Sequence, residues 1–282
     1  MIAVTSGPGL EPALWVGITF AEELGKKWSK PVVPVNHMEG HIWSVLFPDQ
    51  TKNHSNVLEN LRMILPAIAL LVSGGHTELV YIKDFGEYKI LGRTRDDAVG
   101  EAFDKVARML GLPYPGGPQI SKLAEIHRSK NQESGIKFPR PMINSGDLDF
   151  SYSGLKTAVL YKLKENPEID KEEMARAFED ASVEVLVEKT RKAITESEDE
   201  IKTLIVGGGV SANNHLKREL EKLCAELPGV TLKMPSRALS TDNALMIGLA
   251  AYIKVKKNPE ILDPPAGGQA PIKAEGNLSL SC

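Results

Sequence analysis

The stretch AIALLVSGGHTELVYI, residues 67–82, decides the fold class. Its first six residues form an uninterrupted apolar run, which predicts a strand buried on both faces. SGGHT follows, and its glycines predict a turn into a second apolar segment, ELVYI. EYKIL, at 87–91, predicts a third strand. The short connections predict that the three strands form an antiparallel meander.

Elsewhere the chain repeats a unit of strand, glycine-rich turn and following element. IAVTSGPG, from residue 2, and TLIVGGG, from residue 203, begin two such units, and apolar residues at helical spacing follow each turn. The other predicted elements are strands at 31–35 and 231–234 and helices over 100–130, 171–196 and about 242–255. Strands and helices that alternate in this way predict an α/β fold. A chain of 282 residues is long enough for two packed lobes.

Charge and composition bear on several classes of function. The net charge is -3, so the chain lacks the global basic field of a self-sufficient nucleic-acid binder. Any nucleic-acid contact must therefore be local or shared with a partner. The two cysteines, Cys224 and Cys282, cannot form the framework of a secreted disulfide scaffold. With no secretion signal and no apolar run of membrane-spanning length, we expect a cytoplasmic protein with no membrane contact.

The segment VNHMEGH contains two histidines four positions apart. On a helix His37 and His41 point the same way, so a metal could bridge them. A packed or solvated histidine pair explains the spacing equally well.

The residues around the pair have a structural explanation. Asn36 and Glu39 have the spacing of a helix capping box. A metalloprotease of the H-E-x-x-H class places its general base directly after the first histidine, where this chain has Met38. The spacing therefore disfavours a protease.

A third ligand is available in STDNALMIG, where Asp242 precedes a predicted helix. Spacing alone favours a simpler interpretation, in which Thr241 or Asp242 caps that helix. Together with His37 and His41, Asp242 would complete a set of two histidines and one carboxylate, which suits iron(II) or zinc.

The three glycine-rich turns expose backbone N–H groups that could cradle phosphates. Neither the P-loop pattern nor the Rossmann fingerprint is present in the sequence. Asp104 lies in a charged helical pattern, where it is either part of a solvated face or an acceptor for ribose hydroxyls. In the second case Gly116 and Gly117 would let a sugar approach.

Eight motifs together closely resemble the bacterial TsaD family of tRNA N6-adenosine threonylcarbamoyltransferases, and the resemblance runs in order from residue 2 to about 255. They are VNHMEGH, LLVSGGHTELV, DDAVGEAFDKVARMLGLPYPGGP, FPRPM, LDFSYSGLKTAV, ARAFEDA, VGGGVSANN and STDNALMIG. The resemblance implies the two-lobed α/β fold of actin, Hsp70 and sugar kinases. It also implies an acyltransferase that moves a threonylcarbamoyl group from its adenylate to the N6 amine of the adenine just 3′ of the anticodon. The tRNAs concerned read codons that begin with A.

The resemblance also implies which residues form the site and which partners the protein has. His37, His41 and Asp242 match the ligands of one divalent metal, for which iron(II) is favoured and zinc is possible. The expected partners are threonylcarbamoyl-AMP, tRNA and proteins similar to TsaB and TsaE. No covalent nucleophile is required, and no catalytic residue is assigned beyond the ligands. The residues that match the substrate site are Leu71, Val72, Ser73, Gly74, Gly75, Asp104, Gly117 and Asn213.

The family's opening segment, a strand with a GIETSCDET-like sequence and the elements after it, has no counterpart here. We therefore expect a remnant of the first lobe at 1–65, a second lobe with a helical insertion at 66–256 and a C-terminal tail at 257–282. The first lobe should be N-terminally truncated and fold poorly alone, with apolar helix surface uncovered around Leu14 and Ile18.

Two rival functions follow from the same motifs. One is a non-catalytic truncated paralogue that acts as a scaffold for TsaB-like and TsaE-like partners. The other is a sugar or acetate kinase of the same fold, which is disfavoured because such enzymes have no use for a histidine pair.

Overall fold

The computed structural model describes residues 1–47, 62–130, 133–263 and 271–280. The chain divides into two compact units. The first unit comprises Met1–Leu65, Ile82–Lys89 and Pro235–Cys282, and the second comprises Pro66–Tyr81 and Ile90–Met234. Among the described residues, no helix combines the length and apolar character that a membrane span requires.

The first unit is built on two parallel strands, β1 (Ile2–Gly7) and β2 (Val32–Asn36). Helix α1 (Glu11–Trp28) connects them, and helix α2 (His37–Trp43) begins directly after β2. Helix α8 (Ala244–Lys257) packs against both strands and α2. The described residues of this unit also include 3-10 helices at Ser44–Leu46, Arg237–Leu239 and Pro259–Leu262.

Within the predicted tail, residues 257–263 contain the end of α8 and the 3-10 helix Pro259–Leu262, whereas residues 271–280 pack onto β1 as an extended segment. The Glu275 amide donates to the Ser6 carbonyl at 2.8 Å, and Ile272 is buried in the same core cluster as Val4. Gly7 is required at this contact, since a Cβ there would lie 2.1 Å from the Glu275 carbonyl oxygen. The rest of the predicted tail, 264–270 and 281–282, lies outside the described residues.

The second unit is built on the strands β3 (Ala67–Val72), β4 (Thr77–Asp84), β5 (Glu87–Arg93), β6 (Thr203–Gly207) and β7 (Thr231–Lys233). The end of the β4–β5 hairpin, Ile82–Lys89, groups with the first unit. Five strands lie in the order β5-β4-β3-β6-β7. Strand β3 is parallel to β6, and β6 is parallel to β7. The predicted meander of β3, β4 and β5 is confirmed by this order, and the two-residue link between β4 and β5 requires an antiparallel pair.

Helices surround this sheet and supply most of its core. The longest, α6, buries Phe178, whose ring meets Phe103 edge-on at a centroid distance of 4.9 Å. The single helical pattern predicted over 100–130 is two helices, because Gly111, with φ 71°, follows the end of the first in a left-handed conformation. The helices are α3 (Val99–Met109), α4 (Gly116–Ser129), α5 (Ser153–Glu165), α6 (Lys171–Thr195) and α7 (Asn214–Glu226), with a 3-10 turn at Gly209–Ala212.

The compact units divide between Leu65 and Pro66, where a boundary was predicted, but the second unit ends at Met234 and not at 256. Residues from Pro235 onward group with the N-terminal residues, because α8 packs against β1, β2 and α2. One detail of the sequence analysis is wrong: Ile18 is fully buried, and Leu14 packs against the same core cluster. The exposed apolar side chains of α1 are Trp15, Val16, Phe20 and Trp28.

Candidate functional site

The histidine pair lies at the junction of β2 and α2. Asn36 ends the strand, and its Oδ1 accepts a hydrogen bond from the Met38 amide at 2.8 Å, which confirms the predicted N-cap. The helix therefore begins at His37 and places His41 one turn later on the same face. Their ring centroids are 4.8 Å apart, with the planes almost perpendicular. His41 is buried, whereas His37 is partly exposed.

Glu39 lies on another face of this helix and does not complete the predicted capping box. It is buried, and its Oε1 accepts a hydrogen bond from the Tyr88 hydroxyl at 2.9 Å. The indole of Trp43 donates to the same hydroxyl at 3.2 Å. Burial raises the pKa of Glu39 above its usual value. Glu39 therefore anchors α2 in the core, which agrees with the argument against a protease base.

Asp242 comes from a distant part of the chain and faces both histidines. Its Oδ1 lies 3.1 Å from His37 Nε2 and 3.2 Å from His41 Nε2, although its side chain is 74% exposed. The helix cap predicted at Thr241 or Asp242 is instead Asn243, whose Oδ1 accepts from the Met246 amide at 3.0 Å. Hydrogen bonds from His37 and His41 hold the pKa of the Asp242 carboxyl well below its usual range.

Close packing of α2 on α8 makes this arrangement possible. A Cβ at Gly40 would lie 3.0 Å from Ile247 Cδ1 and 3.1 Å from Met246 Cγ, so any larger residue would require these two side chains to shift by a few tenths of an ångström. Gly40 precedes His41, and Met246 and Ile247 lie in the first turn of α8, just after Asp242. The two helices therefore bring the three side chains together.

The cluster fits a metal ion. One ligand atom from each of the three residues lies within 4.8 Å of the others. Two nitrogen or oxygen ligands at about 2.0 Å from a tetrahedral ion would be about 3.3 Å apart, close to the separations between Asp242 and the histidines. His41 Nδ1 is buried and has no hydrogen-bond partner among the described residues, so His41 directs only Nε2 to the cluster. Two neutral imidazoles and one carboxylate form a donor set that suits iron(II) or zinc.

In the second unit, the SGG turn ends β3. Leu71 and Val72 are fully buried in the strand, so their side chains cannot face a ligand. Ser73 Oγ accepts hydrogen bonds from the amides of Gly75 at 3.3 Å and His76 at 3.0 Å, which fixes the turn. A Cβ at Gly74 or Gly75 would meet nothing within 4 Å, so open space borders the backbone there.

Two glycines let neighbouring elements approach this turn. Gly208, with φ 91°, follows β6, and a Cβ there would lie 2.4 Å from the Val72 carbonyl oxygen. Gly100, near the start of α3, donates its amide to the Ser73 carbonyl at 3.2 Å. The turns after β3 and β6 and the start of α3 thus meet at the carboxyl ends of two parallel strands. In open α/β sheets this edge is where ligands bind.

The remaining predicted substrate residues border the same edge and contact protein groups. Asp104 Oδ1, one turn beyond Gly100, accepts from the Gly116 amide at 2.7 Å at the start of α4. A Cβ at Gly117 would meet nothing within 4 Å. Asn213 caps α7, since its Oδ1 accepts from the Leu216 amide at 2.9 Å.

The side-chain amide of Asn213 has two more partners, which the sequence analysis missed. Its Nδ2 donates to Ser121 Oγ at 2.9 Å and to Glu179 Oε1 at 2.7 Å. Glu179 is fully buried, and its other oxygen pairs with Arg128 at 2.6 Å. The only signal in the sequence was a glutamate in ARAFEDA next to apolar residues, which is also typical of a solvated helix.

The features above define a class of protein: a two-lobed α/β protein with a candidate metal cluster in one compact unit and a glycine-rich sheet edge in the other. Solved structures support the fold. The crystal structure of T. kodakarensis HypF matches with a TM-score of 0.58 and 13% identity over 88% of this chain and 40% of that chain. Full-length HypF in the phosphate- and nucleotide-bound form matches with a TM-score of 0.60 and 14% identity over 85% and 38%. At these identities the likeness concerns the fold alone.

Sequence comparisons identify the family. The family model of TsaD, tRNA N6-adenosine threonylcarbamoyltransferase, matches residues 1–249. Proteins of that name from Burkholderia lata and Burkholderia ambifaria are 46% identical over 268 residues, which span 92% of this chain and 72% of theirs. The chain therefore belongs to the TsaD family of tRNA-modifying acyltransferases, as its motifs predicted.

Proposed function

We propose that this chain transfers the threonylcarbamoyl group of threonylcarbamoyl-AMP to the N6 amine of the adenine just 3′ of the anticodon, in tRNAs that read codons beginning with A. The observation that carries the proposal is the meeting of His37, His41 and Asp242 in a family member that also has the glycine-rich edge. A metal-ligand set and a nucleotide-type edge are what this transfer requires. The reaction needs an oriented donor more than an enzyme nucleophile.

We assign the three clustered side chains to one divalent metal, with iron(II) favoured and zinc possible. Such an ion would act as a Lewis acid toward the oxygens of the donor. The protein contributes a carboxylate ligand, since an aspartate is ionised at neutral pH and the hydrogen bonds from His37 and His41 lower the pKa of Asp242 further. The caps at Asn36 and Asn243 fix the helix starts that direct these ligands.

We assign the adenylate to the glycine-rich edge. The open space beside Gly74, Gly75 and Gly117 admits a ligand close to the backbone. Asp104 uses Oδ1 to hold the start of α4, and we assign its other oxygen to a ribose hydroxyl. Holding the donor at this edge would lower the entropic cost of bringing its carbonyl to the incoming amine.

Transfer RNA recognition would be local and shared with partners similar to TsaB and TsaE, since the chain is acidic overall. The segment GIKFPRPM, residues 135–142, offers two basic residues for RNA contact, of which Lys137 is exposed. Arg140 is held by Glu184 at 2.8 Å and by the Phe138 carbonyl at 2.7 Å, so Lys137 is the better candidate. The expected cytoplasmic location is part of this proposal.

Reconstituted transfer tests the proposal. The protein is combined with TsaB-like and TsaE-like proteins, threonylcarbamoyl-AMP and unmodified tRNA, and the modified nucleoside is measured by mass spectrometry. We expect product with the wild type and a loss of at least about a hundredfold with Asp242→Ala, because metal ligands contribute more than the second-shell groups that cost 10–100-fold. Glu260→Gln, which removes an exposed carboxylate of the same unit, should leave the rate unchanged. A scaffold would give equal product with all three proteins.

A further inference from the structure

The Asn213 side chain has almost no free hydrogen-bonding capacity. A carboxamide offers two N–H donors and an oxygen with two lone pairs. Both donors are used, by Ser121 and Glu179, and one lone pair accepts from the Leu216 amide. The second lone pair of Oδ1 is the position that remains. Asn213 can therefore accept one hydrogen bond from a ligand but cannot donate one.

The donor and acceptor partners of the Asn213 side-chain amide determine its orientation. The Leu216 amide is a donor, so the atom that faces it must be oxygen. Glu179 presents a carboxylate, which only accepts, so the atom that faces it must be the NH2 group. A flipped amide would place donor against donor at one end and acceptor against acceptor at the other.

Glu179 is itself held in place by charge. It is fully buried on α6, and Arg128 lies 2.6 Å from its Oε2. Arg128 also pairs with Glu125 at 2.7 Å and with Asp180. A buried carboxylate with a charged partner keeps a defined geometry, because leaving either charge unpaired is costly.

We propose that Glu179 is a positioning residue of the adenylate site, which locks Asn213 so that it presents only an acceptor to the ligand. The proposal rests on the proposed function through the assignment of Asn213 to the adenylate. It implies that Asn213 recognises a donor group, either a ribose hydroxyl or the adenine amine. Phosphate oxygens, which accept, are excluded as its partner.

Calorimetry with AMP and three analogues tests this on the full chain. The analogues are 2′-deoxy-AMP, 3′-deoxy-AMP and purine riboside 5′-monophosphate, which lack the 2′-hydroxyl, the 3′-hydroxyl and the adenine amine, respectively. We expect at least one analogue to bind the wild type about tenfold more weakly than AMP, because a half-buried acceptor is left unpaired. In Glu179→Gln, AMP should bind about fivefold more weakly, and the penalty for that analogue should shrink to about twofold or less. The analogue concerned tells whether the donor is a hydroxyl or the amine.

Two further variants make the result decisive. Glu125→Gln removes another partner of Arg128 without touching Asn213, so its AMP affinity and analogue penalties should match those of the wild type within about twofold. Ser121→Ala removes the other acceptor of Asn213 and should reproduce the Glu179→Gln pattern more weakly, which provides a test if Glu179→Gln does not fold.

Equal analogue penalties in wild type, Glu179→Gln and Ser121→Ala would overturn the positioning role and leave the proposed function standing. A wild type that binds AMP but tolerates all three analogues would overturn the acceptor role of Asn213. Absence of AMP binding by the wild type would overturn the adenylate assignment and, with it, this inference.

Discussion

The two polar clusters of this protein are built in opposite ways. In the first unit, His37, His41 and Asp242 point their ligand atoms at one another, and Asp242 is largely exposed. In the second unit, the side chains of Asp104 and Asn213 each accept a hydrogen bond from a backbone amide in the first turn of a helix. Substitutions in the first cluster should therefore change ligand binding with little effect on the fold. Changes in the second cluster should alter ligand binding and stability together.

The largest expected effect of this contrast concerns stability. Glu179→Ala removes one partner of a buried ion pair and leaves Arg128 and Asn213 without it, so the free energy of unfolding should fall by about 3–5 kcal/mol. Asp242→Ala, at an exposed position, should change it by less than about 0.5 kcal/mol in metal-free buffer. Urea unfolding of both variants measures the difference. Equal losses would remove the contrast between the clusters.

Metal binding should show the opposite contrast: it should depend on the first cluster and not on the second. Alanine at His37, His41 or Asp242 should each weaken metal binding by more than about a hundredfold, since even second-shell changes cost 10–100-fold. Glu179→Gln should leave the metal in place, because the residues that contact Glu179 belong to the second unit. Elemental analysis of the purified proteins gives the stoichiometry. Metal that stays stoichiometric in all three ligand variants would rule the site out.

Acid should weaken the network around Arg128. Burial alone would raise the pKa of Asp180, but hydrogen bonds from His215 and Arg128 lower it to about 2, from 3.8. A carboxyl whose pKa is lower in the folded state stabilises the fold above its unfolded pKa and loses that contribution as pH falls toward the folded value. We expect wild type to lose about 1–2 kcal/mol more than Asp180→Asn between pH 5 and pH 2, after allowance for partial exposure. Parallel urea midpoints for the two proteins over this range would contradict the assignment.

At Asp104, two substitutions should separate the effect on ligand binding from the effect on stability. Asp104→Ala removes both the acceptor for the Gly116 amide and the oxygen assigned to the ribose, so AMP should bind about tenfold more weakly and the fold should lose about 1 kcal/mol. Asp104→Asn keeps an acceptor for Gly116, so it should retain stability while AMP affinity still falls. Calorimetry and urea unfolding separate the two roles. Unchanged AMP affinity in both variants would count against the ribose contact.

Local patterns predicted most of the strands and the Asn36 cap, because these depend on neighbours in sequence. The helix cap near Asp242 was misplaced, since S-T-D-N offers several good capping residues in a row. That Asp242 reaches His37 depends on how α8 packs on α2 across 205 residues of chain, which spacing cannot express. Only the family resemblance suggested it.

The role of Glu179 was not predicted, also because it depends on residues that are distant in sequence. Its partners Arg128 and Asn213 lie 51 and 34 residues away, and a glutamate in a charged helix is typical of a solvated face. The burial that gives Glu179 its role arises from the packing of α6 against the sheet and its neighbouring helices. Long-range packing, more than local propensity, made this part of the site unpredictable.

Nucleoside analysis of tRNA from cells depleted of this protein tests the central claim most directly. We expect threonylcarbamoyladenosine to disappear on depletion, to return when the wild-type gene is supplied, and not to return with Asp242→Ala expressed at the same level. Unchanged threonylcarbamoyladenosine after depletion, or full rescue by Asp242→Ala, would contradict a transferase that works through the His37, His41 and Asp242 cluster.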